Sequence, residues 1–89
     1  MSLNTNWVLQ VDSVIYKFLK KIPRHNAERL LAVVKELSAD PFSGDVKKMS
    51  GEDNVWRKRV GAYRIRYELI KEEKIIYVFQ IERRTSKTY

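Results

Sequence analysis

Arginines repeating at period two are the residues of this chain best suited to chemistry. They stand in Trp56-Arg57-Lys58-Arg59-Val60 and again in Tyr63-Arg64-Ile65-Arg66-Tyr67. Gly61-Ala62 separates the two runs, a two-residue link of the kind that joins neighbouring strands in a tight turn. Side chains alternate faces along a strand. Arg57 and Arg59 therefore project on one side, and Arg64 and Arg66 project together from the neighbour. Four guanidinium groups crowded on one sheet face repel one another, so the face is suited to an anion. Arginine offers a planar fork of donors matched to phosphate oxygens and stays charged at every relevant pH. Such a group stabilises negative charge that develops at phosphorus.

The charge of the chain points the same way. Among 89 residues the net charge is +7. Residues 1–45 hold six Lys/Arg against five Asp/Glu, whereas residues 46–89 hold twelve against six. A basic half with interleaved aromatics suits a nucleic acid or an acidic protein as partner. Apolar residues make up 44% of the chain, enough for one small core, so residues 1–89 are expected to form one domain. Cysteine is absent, which removes disulfides, thiol nucleophiles and thiolate zinc sites and suits a reducing cytoplasm. Ser13, Ser43 and Ser50 stand in no triad-like motif, and no glycine-rich phosphate loop is present. His25 follows Pro23-Arg24 and reads as a surface or capping residue. No apolar run approaches the ~20 residues that cross a bilayer, and Met1–Asn6 does not resemble a signal peptide.

The elements that must position these residues are legible as periodicities. Trp7–Val11 alternates as a short strand. Asp12 or Ser13 can cap a helix carrying Val14, Ile15, Phe18, Leu19 and Ile22 on one side, and Pro23 ends it. A second helix, roughly Asn26 to Ala39, has the apolar stripe Ala27, Leu30, Leu31, Val34 and Leu37. Residues 41–53 read as a loop. Three strands follow, Val55–Val60, Tyr63–Ile70 and Ile75–Ile81, with a polar turn at Lys71–Lys74. The fold class is α+β: an N-terminal strand, a helical hairpin, then a three-stranded antiparallel meander (β-α-α-β-β-β). Two layers result, with the helices on one sheet face and the other face free to be basic.

Several stretches now take on a family character. Asp40-Pro41, Met49-Ser50-Gly51, Trp56-Arg57-x-Arg59-Val60-Gly61-x-Tyr63-Arg64-Ile65-x-Tyr67, Ile81-x-Arg83-Arg84 and Tyr89 resemble the RelE-like toxins of the RelE/ParE toxin–antitoxin superfamily. The resemblance implies a ribosome-dependent mRNA endonuclease that needs no metal and no small-molecule cofactor. It implies as partners a cognate antitoxin protein, the ribosome and mRNA, and no membrane. Carried over by position, the family's catalytic residues fall on Arg59, Arg64, Arg83 and Tyr89. Arg57, Lys47, Lys48 and Arg84 become candidate RNA contacts. Arg59 and Arg64 would hold the non-bridging oxygens, Arg83 the leaving oxygen, and Tyr89 the 2′-hydroxyl or a base. Two departures stand out. Some members have lysines where Arg57 and Arg59 stand, and many have a His where Glu82 stands.

Blander readings compete for the same residues. The arginine face could be a solvated sheet face, although only Glu68 appears as an acid of matching parity. Trp56, Tyr63 and Tyr67 read as core residues, and Lys58 as an edge residue that packs its stem. Arg83 shares parity with Ile75, Tyr77, Phe79 and Ile81, so a regular strand would turn it toward the helices. Its catalytic role needs a bulge or twist that frees it. A gyrase-inhibiting member of the superfamily, or an inactive RNA-binding member, would carry much of the same pattern.

Overall fold

Burial of the two helical stripes against the alternating strands decides the architecture. The computed structural model describes residues 7–84. Its elements are β1 (Val8–Val11), α1 (Ser13–Leu19), α2 (Arg24–Glu36), β2 (Val46–Lys48), β3 (Val55–Val60), β4 (Tyr63–Ile70) and β5 (Ile75–Arg83). The strands form one sheet in the order β1-β5-β4-β3-β2. β1 runs parallel to β5, and the other pairs are antiparallel. The α+β fold expected from the pattern is present, with one strand more than expected. Val46–Lys48 lies inside the stretch read as a loop and pairs with β3. Three residues are too few to show a period, and two of the three are lysines, which suit a solvent-facing sheet edge.

The helix ends follow local chemistry. Asp12 caps α1, its carboxylate accepting from the Val14 amide at 3.0 Å. α1 stops at Leu19, short of the expected Ile22, and α2 begins at Arg24, ahead of the expected Asn26. Pro23 is the reason for the early start. Its φ of −55° is preset for a helix entry, where its missing amide proton is not needed.

Ile15 and Leu19 of α1, Leu30 and Val34 of α2, and the following Leu37 bury against the sheet. The sheet contributes Val60, Tyr63, Ile65, Tyr67, Leu69, Ile76, Val78 and Ile81. Tyr67 is fully buried, and its hydroxyl donates to the Pro41 carbonyl. Burial, with Asp40 adding a smaller effect, pushes this phenol far above its ordinary value.

β5 departs from regularity at one place that matters for the site. Its register against β4 steps from Arg66↔Gln80 to Tyr67↔Val78, which leaves Phe79 as an extra residue. The core-facing set therefore changes parity along the strand: Ile76 and Val78 before the bulge, Ile81 after it. The expected run Ile75, Tyr77, Phe79 and Ile81 is thus corrected to Ile76, Val78 and Ile81. Tyr77 stands opposite Glu68 on the other face, and its hydroxyl donates to Asp12. That bond, reinforced by the Val14 amide, holds the Asp12 carboxyl below its ordinary value and raises the Tyr77 phenol.

Two outcomes follow. Tyr67→Phe leaves the Pro41 carbonyl without its donor and should cost about 1–3 kcal/mol in urea unfolding. Asp12 has a folded pKa below its unfolded one, so its contribution is present above about pH 4 and disappears as pH falls through the folded value. Unfolding curves at neutral and acid pH should show a shallower acid loss for Asp12→Asn than for the native chain.

Candidate active site

The site is built on the β3–β4 hairpin. Gly61 takes φ +59° at the first turn position, a conformation that a side chain disfavours and that a type II′ turn requires. The turn sets the pairs Val60↔Tyr63, Arg59↔Arg64, Lys58↔Ile65, Arg57↔Arg66 and Trp56↔Tyr67. Opposed residues share a face. Arg57, Arg59, Arg64 and Arg66 therefore stand together on the face away from the helices. Val60, Tyr63, Ile65 and Tyr67 stand on the core side with Trp56, which also meets the Phe42 ring edge-on at 5.2 Å. Lys58 shares the core side and is 8% exposed, its stem lying at the Gly44 edge.

β2 extends the arrangement. Lys47 stands opposite Arg57, and Arg59 takes a backbone bond from its amide to the Asp45 carbonyl at 2.9 Å. Two rows cross the open face. One reads Asp45, Arg59, Arg64, Glu82; the other reads Lys47, Arg57, Arg66, Gln80. Lys48 is opposite Trp56 and so lies on the other side of the edge strand, away from the arginines.

Acids are closer to the arginines than the pattern suggested. Asp45 pairs with Arg59 at 3.0 Å. Glu82 reaches Arg66 at 3.2 Å and Arg64 at 3.8 Å. The expectation that Glu68 alone has matching parity is corrected: Asp45 belongs to a pairing segment read as loop, and Glu82 acts across strands. The Asp45–Arg59 pair is about half exposed and the Glu82 pairs are just under a third exposed, so water screens all of them and each contributes about 0–1 kcal/mol. Five cations on the two rows meet two carboxylates, and Arg57 and Lys47 have no ion-pair partner among the described residues. The Nε atoms of Arg64 and Arg66 are buried without an acceptor among the described residues. The face keeps unfilled donors and positive charge.

The strand end separates the last two arginines. Arg83 is opposite Tyr63, a buried core-side residue, while Glu82 is opposite Arg64. The Arg84 amide donates to the Ala62 carbonyl at 2.6 Å, so pairing continues one residue further. Alternation then puts Arg84 on the arginine side and Arg83 on the helix side. The bulge at Phe79 is the cause: it turns Ile81 and Arg83 toward the helices instead of freeing Arg83. Arg83 is thus not beside Arg59 and Arg64; it lines a cavity with Asn26, Arg29 and Tyr63. Arg29 was invisible as a site residue, because nothing in linear spacing joins a polar helix position to the hairpin turn. Tyr89 lies outside the described residues. Among the described residues no three His, Asp or Glu side chains gather as a metal site would require.

Known proteins share the sequence pattern and the fold. A family model described as the ParE toxin of type II toxin–antitoxin systems matches residues 12–87. The chain belongs to the RelE/ParE toxin superfamily. The toxin is 28% identical over 79 residues to a protein named as toxin RelE1 of Methanocaldococcus jannaschii, covering 85% of this chain and 88% of that one. Its fold matches the archaeal RelE–RelB complex from Pyrococcus horikoshii with a TM-score of 0.78 at 23% identity, over 92% of this chain and 99% of that one. It also matches the isolated E. coli RelE toxin with a TM-score of 0.75 at 19% identity, over 91% and 87% of the two chains.

Removing the acid between two arginines tests the electrostatics of the face. Glu82→Gln in the toxin should bind a short single-stranded oligonucleotide up to about fivefold more tightly by fluorescence anisotropy, the equivalent of about 1 kcal/mol.

Proposed function

We propose that the toxin is a ribosome-dependent mRNA endonuclease, held in check by a cognate antitoxin protein. The observation that carries this reading is the Arg59↔Arg64 pair, opposed across the hairpin on the sheet face that the helices leave open. In the reaction the 2′-oxygen of one nucleotide forms a bond to the adjacent phosphorus, and the bond to the 5′-oxygen breaks. A 2′,3′-cyclic phosphate and a 5′-hydroxyl result. One proton leaves the 2′-oxygen and one arrives at the 5′-oxygen. Charge builds on the two non-bridging oxygens, and Arg59 and Arg64 receive it. Preorganised charge of this kind is commonly the largest catalytic contribution.

The guanidiniums keep their protons, so the base is another group: a water, or the Tyr89 phenol expected at the C-terminus. Arg57 and Lys47 form the next row and track the RNA backbone. Arg84, on the same side of the rim, extends that track, and Lys48 meets the ribosomal or messenger RNA from the edge. The antitoxin competes for the open face. Support for a protein partner comes from likeness to toxins solved with RelB, including the P. horikoshii complex and the intact E. coli RelBE complex. Among the described residues no helix is long and apolar enough to cross a membrane.

The ParE description of the matching family model favours a second reading, inhibition of DNA gyrase by protein contact. Two assays separate them. Purified toxin with translating ribosomes should cut mRNA, mapped by primer extension, and should leave gyrase supercoiling untouched; the reverse result sinks the endonuclease. Arg64→Ala should lower single-turnover cleavage at saturating ribosomes by about 10²–10³-fold while the protein still folds.

A further inference from the structure

The hairpin turn has a second basic side. Beneath Gly61 and Ala62, on the helix side of the sheet, lies a cavity of about 110 Å³. Arg29 of α2 and Arg83 at the end of β5 line it from different elements, together with Asn26 and Tyr63. Among the described residues no carboxylate lines it. Neither Arg29 nor Arg83 has an ion-pair partner among the described residues, in contrast to Arg59, Arg64 and Arg66. The Arg29 guanidinium lies against the turn: one terminal nitrogen is 3.6 Å from where a side chain on Gly61 would begin. That is van der Waals contact distance, so the guanidinium packs directly on the turn. The Asn26 amide donates to the Tyr63 hydroxyl at 3.3 Å. The proton of that hydroxyl has no acceptor among the described residues, so it remains available to a ligand.

We propose that this cavity is an anion-binding site that takes a phosphate of the RNA flanking the scissile one. Its volume equals that of three to four liquid waters, enough for a tetrahedral oxyanion. Its donors are two guanidiniums and a phenol, and guanidinium forks match phosphate oxygens. The turn Gly61–Ala62 is shared between this cavity and the Arg59–Arg64 pair, which flank it on the opposite face. A strand with its reacting phosphate over Arg59 and Arg64 crosses the rim at the turn and sets the next phosphate between Arg29 and Arg83. Arg83 then contributes by holding the RNA in register, and Arg29 is a binding residue supplied by the helical layer. The assignment of RNA as the ligand rests on the endonuclease reading; the oxyanion site itself does not.

The test has two arms. In the first, inorganic phosphate is titrated into the toxin and the side-chain Nε–H signals of its arginines are followed by NMR. Signals of Arg29 and Arg83 should shift in the native chain, and the Arg83 shift should be lost in Arg29→Gln. Phosphate that leaves both signals in place overturns the site, and shifts shared equally by exposed arginines such as Arg24 do the same. In the second, a short RNA with a 2′-O-methyl group at its cleavage point is bound at several salt concentrations. Arg29→Gln should weaken binding about tenfold and reduce the salt slope by about one, whereas Arg24→Gln should change neither. Unchanged affinity and slope in Arg29→Gln overturn the inference. Absent mRNA cleavage by the native toxin on translating ribosomes, with the phosphate shifts retained, strikes the endonuclease reading and leaves the oxyanion site standing. Melting of each variant confirms folding, and Arg29→Lys should recover part of the binding.

Discussion

The register of β3 against β4 is the constraint on which the remaining structure depends. It is set at the Gly61–Ala62 turn, where glycine adopts φ +59° without the cost that a side chain would add. One face of the pair then carries Val60, Tyr63, Ile65 and Tyr67 into the core, and the other carries Arg57, Arg59, Arg64 and Arg66 into solvent. A slip of one residue would exchange the two sets. Guanidiniums would enter an apolar interior, at a cost of several kcal/mol each, and four apolar side chains would enter water. The core and the cationic face are therefore enforced by one and the same pairing. Burial of the apolar half holds the charged half in an arrangement that its own repulsion opposes.

That repulsion is tempered from within. Asp45 and Glu82 stand at the two ends of the row that contains Arg59 and Arg64. Glu82 serves Arg66 as well. In a solvent-exposed setting such pairs hold geometry more than they hold energy. They orient guanidinium forks along the face without saturating them, as the unpartnered Nε atoms of Arg64 and Arg66 indicate. A ligand carrying two negative charges on phosphorus has more to offer these groups than a carboxylate shared between two of them. In the proposed reaction the internal acids would serve as exchangeable counterions. They fit a face that is occupied intermittently better than a face that is merely soluble.

The bulge at Phe79 divides the basic residues of the rim into two groups. Upstream of it the even-numbered residues of β5 face the helices; downstream the odd-numbered ones do. Arg84 joins the open face, and Arg83 joins Arg29 beneath the turn. One extra residue in one strand has placed adjacent arginines on opposite sides of a sheet. The turn between β3 and β4 is then flanked by cations above and below, a shape that a flexible polyanion can straddle and a flat partner cannot.

Much of this was legible from the amino-acid sequence by itself. Period-two arginines across a Gly-Ala link, apolar stripes at helical spacing and the break at Pro23 determined the α+β class, the hairpin and its cationic face, because each depends on neighbours a few residues apart. β2 stayed hidden, since Val46–Lys48 is too short to carry a period and becomes a strand only when β3 offers it a partner. The parity of β5 stayed hidden too. Its bulge lets Ile76, Val78 and Ile81 all enter one core despite their different parity, and no local signal marks it. Only the tertiary structure could bring Arg29 to the Gly61 turn, or Asp45 and Glu82 to the arginines. Side-chain alternation is a property of the chain, whereas contact between distant segments is a property of how their apolar faces are jointly removed from water.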